Sequence, residues 1–369
     1  MIVSSTRSGS VSSVSFPEVV VYGATGVVGR RICRALAGTS FTTAGRDTAP
    51  VDDPAALARA FHGAEVVINA ATDVTEPIVV AALAAGAHVV DTGGSQDVTH
   101  AIYERHESTA RHAGRVCVLG AGLDCAIGDL AASWAALHAC GASDPGEMIR
   151  DRPMPRLAVD RPLDDVAISY IYDDLVLSPS SQRALFSRLH ARPLAWKRDR
   201  WEYVAAGAER RRVNAGREMG ERDVVSFPGG DVISVPRHLA SRSVQTFVST
   251  TRSTAATTGL RWLARAMPFV PKRAADLLAP YAFADDDYAR TRFAVVVQVR
   301  RGFAAAQVVV SGSDIYATTA AIAAWIARAL VARSAGPVGM RAPSELFRGE
   351  PALREIAANA SLTIEPGFG

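Results

Sequence analysis

Lysine is almost missing from this chain. Among 40 lysines and arginines in 369 residues, only Lys197 and Lys272 are lysine, and the formal net charge is +3 at pH 7. Without a polybasic run or a large positive field, neither nucleic acid nor a membrane surface is an expected partner. Cysteine is scarce too: Cys33, Cys117, Cys125 and Cys140 have no C-x-x-C spacing and no histidines at zinc-site distances. That excludes a zinc site and a disulfide framework, leaving buried free thiols in a reducing compartment as the expectation. Uninterrupted apolar runs are lacking as well. The segment 116–137 is broken by Asp124 and Asp129 and the segment 315–332 by Arg328, so neither makes a good membrane span. The serine-rich opening, residues 1–16, has no continuous apolar stretch of the secretory kind and reads as a disordered leader, so the expected location is cytoplasmic. No Ser-x-x-x-Tyr-x-x-x-Lys pattern occurs, which removes the short-chain reductase acid.

What is present describes a folded chain of more than one domain's length. With 49% hydrophobic and 21% charged residues the sequence belongs to a globular protein, long enough for two cores. Residues 18–30, EVVVYGATGVVGR, break an apolar strand with Gly23, Gly26 and Gly29 and continue as a helical pattern. A tight βα turn needs residues without Cβ, and a diphosphate is best held by free N–H groups at a helix start. The spacing is G-x-x-G-x-x-G. A structural turn would use the same glycines, but strand, helix and a second strand about twenty residues on favour a nucleotide. That second strand, FTTAGRD, ends in Arg46, whose guanidinium suits a 2′-phosphate and favours NADP(H). Asp47 follows within reach of a ribose, so NAD(H) stays open, and Arg46 as an ordinary solvated arginine is the plain alternative.

Five apolar strands (VVVYG, FTTAG, EVVINAA, HVVDTG, VCVLGAG) alternate with helical stretches near 27–38, 54–62, 75–86 and 99–113. Continuous apolar strands joined by helices predict a parallel sheet covered on both faces. The fold class is therefore α/β: a Rossmann-type doubly wound parallel sheet, with a second α+β domain on a largely antiparallel sheet. Expected boundaries are 17–140 for the NADP-binding domain, 141–312 for the substrate and dimerisation domain, and 313–369 for a helix and tail packing back on the first. In the second domain DVAISYIY, REMGERDVVSFP, GDVISVP, SVQTFVST and the pair ARTRFAVVVQVRRG and AAAQVVVSG read mostly as antiparallel strands. DIYATTAAIAAWIARALVAR reads as one closing helix. The strand ends of the first sheet carry small or polar residues. Gly23, Ala24, Thr25, Gly26, Val27, Gly29, Arg46, Ala70, Ala71, Thr92, Gly93 and Gly120 are the cofactor-binding candidates.

With these residues in view the chain resembles the saccharopine dehydrogenase-like oxidoreductases over most of its length. VVVYGATGVVGR is similar to their cofactor turn and FTTAGRD to their Arg-bearing second strand. VVINAATDVTEPIVVAALAAGAHVVDTGG, GAGLDCAIGDLAA, SGSDIYATTAAIAAW and PVGMRAPSELF are similar to later family segments. The resemblance implies a Rossmann domain, a split antiparallel substrate domain and NAD(P)-dependent chemistry, from imine reduction to trans-acting enoyl reduction. One departure is Ala71-Thr72-Asp73-Val74, where many members have Ala-Gly-Pro-Phe, close to the expected nicotinamide.

The expected function is an NADP(H)-dependent reductase acting on a C=C or C=N bond of a small metabolite, including biosynthetic intermediates. Proton-donor candidates are Tyr170, Tyr172, Asp124 and His238, with Tyr316 beside them; each has a plain packing, capping or turn role as its alternative. Arg183, Arg188, Arg237 and Arg242 offer partners for a carboxylate- or thioester-bearing substrate, whereas Arg210–Arg212 reads as a solvated face. Residues 260–283 suit a lid, a homodimer contact or ordinary core. Two other functions remain open: a non-catalytic NADP(H)-binding sensor or scaffold, and a non-redox enzyme using bound NAD(H) transiently. No metal is expected.

Overall fold

The computed structural model describes residues 18–141, 162–190, 193–205, 207–250, 258–259, 262, 265–266 and 287–368. The leader and nearly all of 260–283 lie outside that set. The first region runs β1 (Val19–Tyr22), α1 (Val27–Ala35), β2 (Phe41–Ala44), α2 (Pro54–Phe61), β3 (Val66–Asn69), α3 (Thr75–Ala84), β4 (His88–Asp91), α4 (Gln96–His112) and β5 (Val116–Val118). A π-helical turn, Leu123–Ile127, then leads into α5 (Gly128–Ala139). Local chemistry accounts for several boundaries. Pro54 opens α2 while the Asp53 carboxylate accepts the N–H groups of Ala55 and Ala56, each at 3.0 Å, a cap of about 1 kcal/mol.

The second region comprises β6 (Asp165–Asp173), α6 (Pro179–His190), the hairpin β7 (Leu194–Lys197) and β8 (Arg200–Tyr203), β9 (Arg210–Asn214), the short α7 (Gly216–Met219) and β10 (Glu221–Ser226). It continues through α8 (Asp231–His238), β11 (Ser243–Ser249), β12 (Arg292–Arg301) and β13 (Ala304–Ser313). The chain closes with α9 (Ile315–Val331), β14 (Gly339–Arg341), α10 (Gly349–Ala360) and β15 (Thr363–Phe368).

Two sheets result. The first is all parallel, in the order β14-β5-β4-β3-β1-β2, with its switch point between β1 and β3. The second is mixed and largely antiparallel, β15-β13-β12-β6-β11-β10-β9, with the β7–β8 hairpin attached through β11. Details of this second sheet depart from the sequence expectation. The strand β11 runs parallel to β6, not antiparallel. The segment GDVISVP is not a strand at all; it forms α8 with Pro236 inside it. A proline there leaves the carbonyl four residues back without its helical donor. The indole N–H of Trp201 donates to that carbonyl, Val232 O, at 2.8 Å.

The larger apolar core runs through both regions, from the strands of the first sheet across α5 to Val295, Val297 and Val308 of the second, and a smaller one gathers Ile171, Val224, Phe247 and Val296 in the second region. The helix α9 packs along α1 and buries Ile322, Ile326 and Leu330, each worth roughly 1.5–3 kcal/mol. The tail, expected to pack back on the first region, is shared between the sheets: β14 extends the first beside β5, but β15 extends the second beside β13. The Asp129–His238 contact, 2.8 Å, sits wholly inside, where Asp129 also takes the Ser344 N–H at 2.7 Å.

Candidate functional site

The strand ends of the first sheet open onto a cavity of about 240 Å³ whose far wall belongs to the second region. On the near side, Gly23 leaves β1 with φ 83°, and a Cβ there would come within 3.1 Å of the Ala71 Cβ. A Cβ on Gly29 would collide with the carbonyl oxygen of Gly23, so α1 can start against the turn only because both are glycine. Gly26 caps α1 in extended conformation, without a side-chain cap and without an acidic residue in the first turn. Gly26, Val27 and Val28 line the cavity. The start of α1, whose first N–H groups have no side-chain cap, therefore borders it, where a helix start favours a phosphate.

A buried polar clip shapes the neighbouring strand ends. The Asn69 amide donates to Asp91 at 2.6 Å, Asp91 accepts the Gly93 N–H at 2.8 Å, and Asn69 accepts the Ala71 N–H at 3.1 Å. Burial pushes the Asp91 carboxyl up, opposed by these donors. Ala70, Ala71, Thr92 and Gly93 are thus held by backbone contacts and present little side chain to the cavity. Asp73 takes φ 64°, a value closed to proline. The loop Ala71-Thr72-Asp73-Val74 accordingly has a different shape from one built on Ala-Gly-Pro-Phe.

On the far side, alternate residues of β6 bring Tyr170 and Tyr172 to the same face, toward the cavity. The Tyr170 hydroxyl lies 2.9 Å from both carboxyl oxygens of the fully buried Asp231, at the start of α8. Asp124 occupies the π-helical turn, a local distortion often found at functional sites. Its carboxylate accepts from the Arg188 guanidinium at 2.6 Å, and both residues line the cavity. Burial pushes the hydroxyls of Tyr170 and Tyr172 up, reinforced by Asp231 for the first and Asp124 for the second. Tyr316 also lines the cavity, but its hydroxyl accepts the Ser178 N–H at 2.7 Å.

Of the residues singled out in the sequence, the cavity collects Gly26, Val27, Ala70, Ala71, Thr92, Gly93, Asp124, Tyr170, Tyr172, Arg188 and Tyr316. Gly23 and Gly29 stand behind the turn, and Ala24 and Thr25 form its outer part. Gly120, with φ 72°, is buried against Cys125. Arg46 is exposed at the end of β2. His238 is not in the lining; it is buried on Asp129. Arg237 pairs with Glu345 at 2.8 Å and lies over the Tyr103 ring, while Arg183 and Arg242 are exposed. Arg210–Arg212 pair with Asp223, Asp165 and Glu221 along β9. Sequence reasoning does not reach Asp231, because the β-branched Val232, Ile233 and Val235 that follow it suggest a strand; its place after Gly229-Gly230 is the sign of a helix start.

No protein-family profile matches the chain, and no curated protein sequence matches it. Among solved structures it is similar to saccharopine dehydrogenase (L-Glu forming) from Saccharomyces cerevisiae, with 13% identity, a TM-score of 0.59, and coverage of 96% of this chain and 100% of the yeast chain. A 3-ketoreductase from Actinomadura kijaniata, solved with NADP and TDP-benzene, aligns at 13% identity over 92% of this chain and 95% of its own, with a TM-score of 0.32. The chain has the saccharopine dehydrogenase-like fold.

Proposed function

We propose that the protein is an NADP(H)-dependent oxidoreductase that reduces a C=C or C=N bond of a small metabolite. The observation that carries this reading is the shared cavity: the uncapped start of α1, the strand ends at Ala70–Thr72 and Thr92–Gly93, and the tyrosine face of β6 all open into one space. The residues fit a dinucleotide. Gly23 and Gly29 clear room for the turn, the N–H groups after Gly26 hold the diphosphate, and the strand ends at Ala71 and Gly93 leave space for a ring. Arg46 is free on the surface to meet a 2′-phosphate. When bound, the nicotinamide supplies the hydride. The chain supplies the rest: walls that exclude water, a cation at Arg188 for an anionic or thioester-bearing substrate, and hydroxyls that move a proton. A solved structure with the same fold, from yeast, is a saccharopine dehydrogenase, which supports redox chemistry here.

Calorimetric titration with NADPH and NADH tests the reading. NADPH is expected to bind more tightly than NADH, and Gly26→Asp, which places a carboxylate at the diphosphate site, to abolish binding of both. Failure of the native protein to bind either nucleotide would remove the reductase assignment. Binding without consumption across unsaturated and imine acceptors would favour a sensor.

A further inference from the structure

We propose that Tyr170 is the proton donor of the cavity and that Asp231 is a positioning residue and proton reserve acting through the Tyr170 hydroxyl. The inference rests on the reductase reading and adds the group that completes the reduction. Tyr170 lines the cavity, and Asp231 lies behind it at 2.9 Å through either carboxyl oxygen. Room for the pair is built in. A Cβ on Gly128, at the start of α5, would fall 2.7 Å from the Tyr170 hydroxyl and collide with Asp231. Around Asp231 stand Asp124 and Cys125 of the π-helical turn and Asp129 of α5, while His238 is turned to Asp129. Among the described residues no cationic side chain pairs with Asp231. Burial, with Asp129 and Asp124 adding negative charge and the Tyr170 hydroxyl opposing, pushes its carboxyl well above the usual range, the direction a proton reserve requires.

A lone phenol in this apolar wall is a poor acid, because giving up its proton strands a phenolate away from water. A carboxyl behind it lowers that cost, because it is the stronger acid and holds the charge better than a phenol does. As the hydride and its electron pair arrive from the reduced nicotinamide at one atom of the acceptor bond, the other atom takes the Tyr170 proton and the phenolic O–H bond breaks. The phenolate oxygen takes the Asp231 proton in the same movement, leaving the charge on a carboxylate. Once product departs, solvent returns one proton through Tyr170.

Infrared spectra of the full-length protein at pH 7, without acceptor, in H2O and D2O, decide the matter. The native protein is expected to show a protonated-carboxyl stretch that shifts in D2O. Asp231→Asn removes it, whereas Asp91→Asn, which alters a buried carboxyl of the opposite, cofactor-side wall, does not. Tyr170→Phe keeps the band and moves its frequency, since the hydrogen-bond partner is gone. Absence of the band, its survival in Asp231→Asn, or an unmoved frequency in Tyr170→Phe would each overturn the relay. NADPH titration of the native protein, Asp231→Asn and Tyr170→Phe reads the reductase assignment separately: the relay fails without affecting NADPH affinity, and the reductase reading fails without affecting the band.

Discussion

The two sheets meet the cavity in different ways. The first brings main chain: an uncapped helix start, two alanines, and strand ends held by the Asn69–Asp91 clip. The second region brings side-chain functional groups: Tyr170 backed by Asp231, Tyr172, and Arg188 reaching Asp124. Any peptide can bind a diphosphate through backbone N–H groups once its glycines clear space, so that wall suits a cofactor shared by many reactions. Side chains must be chosen one at a time, so the other wall is where an acceptor is selected and protonated.

The sharpest way to break this contrast is Gly29→Ala. The added Cβ meets backbone, the Gly23 carbonyl, which no rotamer change relieves. The expected loss is more than about 3 kcal/mol in urea unfolding, together with NADPH binding. Native-like stability would show that the turn tolerates a side chain.

A second test uses pH against the first sheet alone. Burial, with Arg115 and Arg333 nearby, depresses His88 from 6.5 to about 4, while its Nδ1 accepts the Val116 N–H at 2.9 Å. The unfolded chain therefore takes up a proton near pH 6.5 that the folded chain refuses until about pH 4. His88 then favours the folded state fully above pH 6.5, and up to about 3 kcal/mol of that stability drains away as pH falls to 4. Urea midpoints at pH 7 and pH 5 should differ, and His88→Gln should flatten the difference. An equal slope in the variant would assign the acid sensitivity elsewhere.

The smallest effect sharpens the cofactor wall. Arg46→Ala is expected to weaken NADPH about tenfold, near 1.4 kcal/mol, and to leave NADH almost unchanged. Calorimetry showing equal losses would detach Arg46 from the 2′-phosphate.

Legibility in the sequence followed the same division. The first sheet could be read because parallel strands covered on both faces must be continuously apolar, and because Gly23, Gly26 and Gly29 have few other reasons to recur between a strand and a helix. On the other wall the tyrosines of β6 were visible as candidates, yet their partner was not. Asp231 lies in α8, whose Val232, Ile233 and Val235 suggest a strand and whose Pro236 argues against a helix. The carbonyl that Pro236 leaves open, Val232 O, is answered by a tertiary contact, the Trp201 indole, which lies 31 residues away in sequence and which no local pattern announces. His238 failed to reach the cavity for a related reason: as part of α8 it turns to the buried Asp129.

The shared tail has a bearing on the order of assembly. Each sheet takes an edge strand from residues 339–368, β14 for one and β15 for the other. On a ribosome, neither sheet can be completed before that stretch emerges, so both wait with an unpaired border that invites pairing with other chains. A nascent protein cut short at 338 would carry two such borders at once.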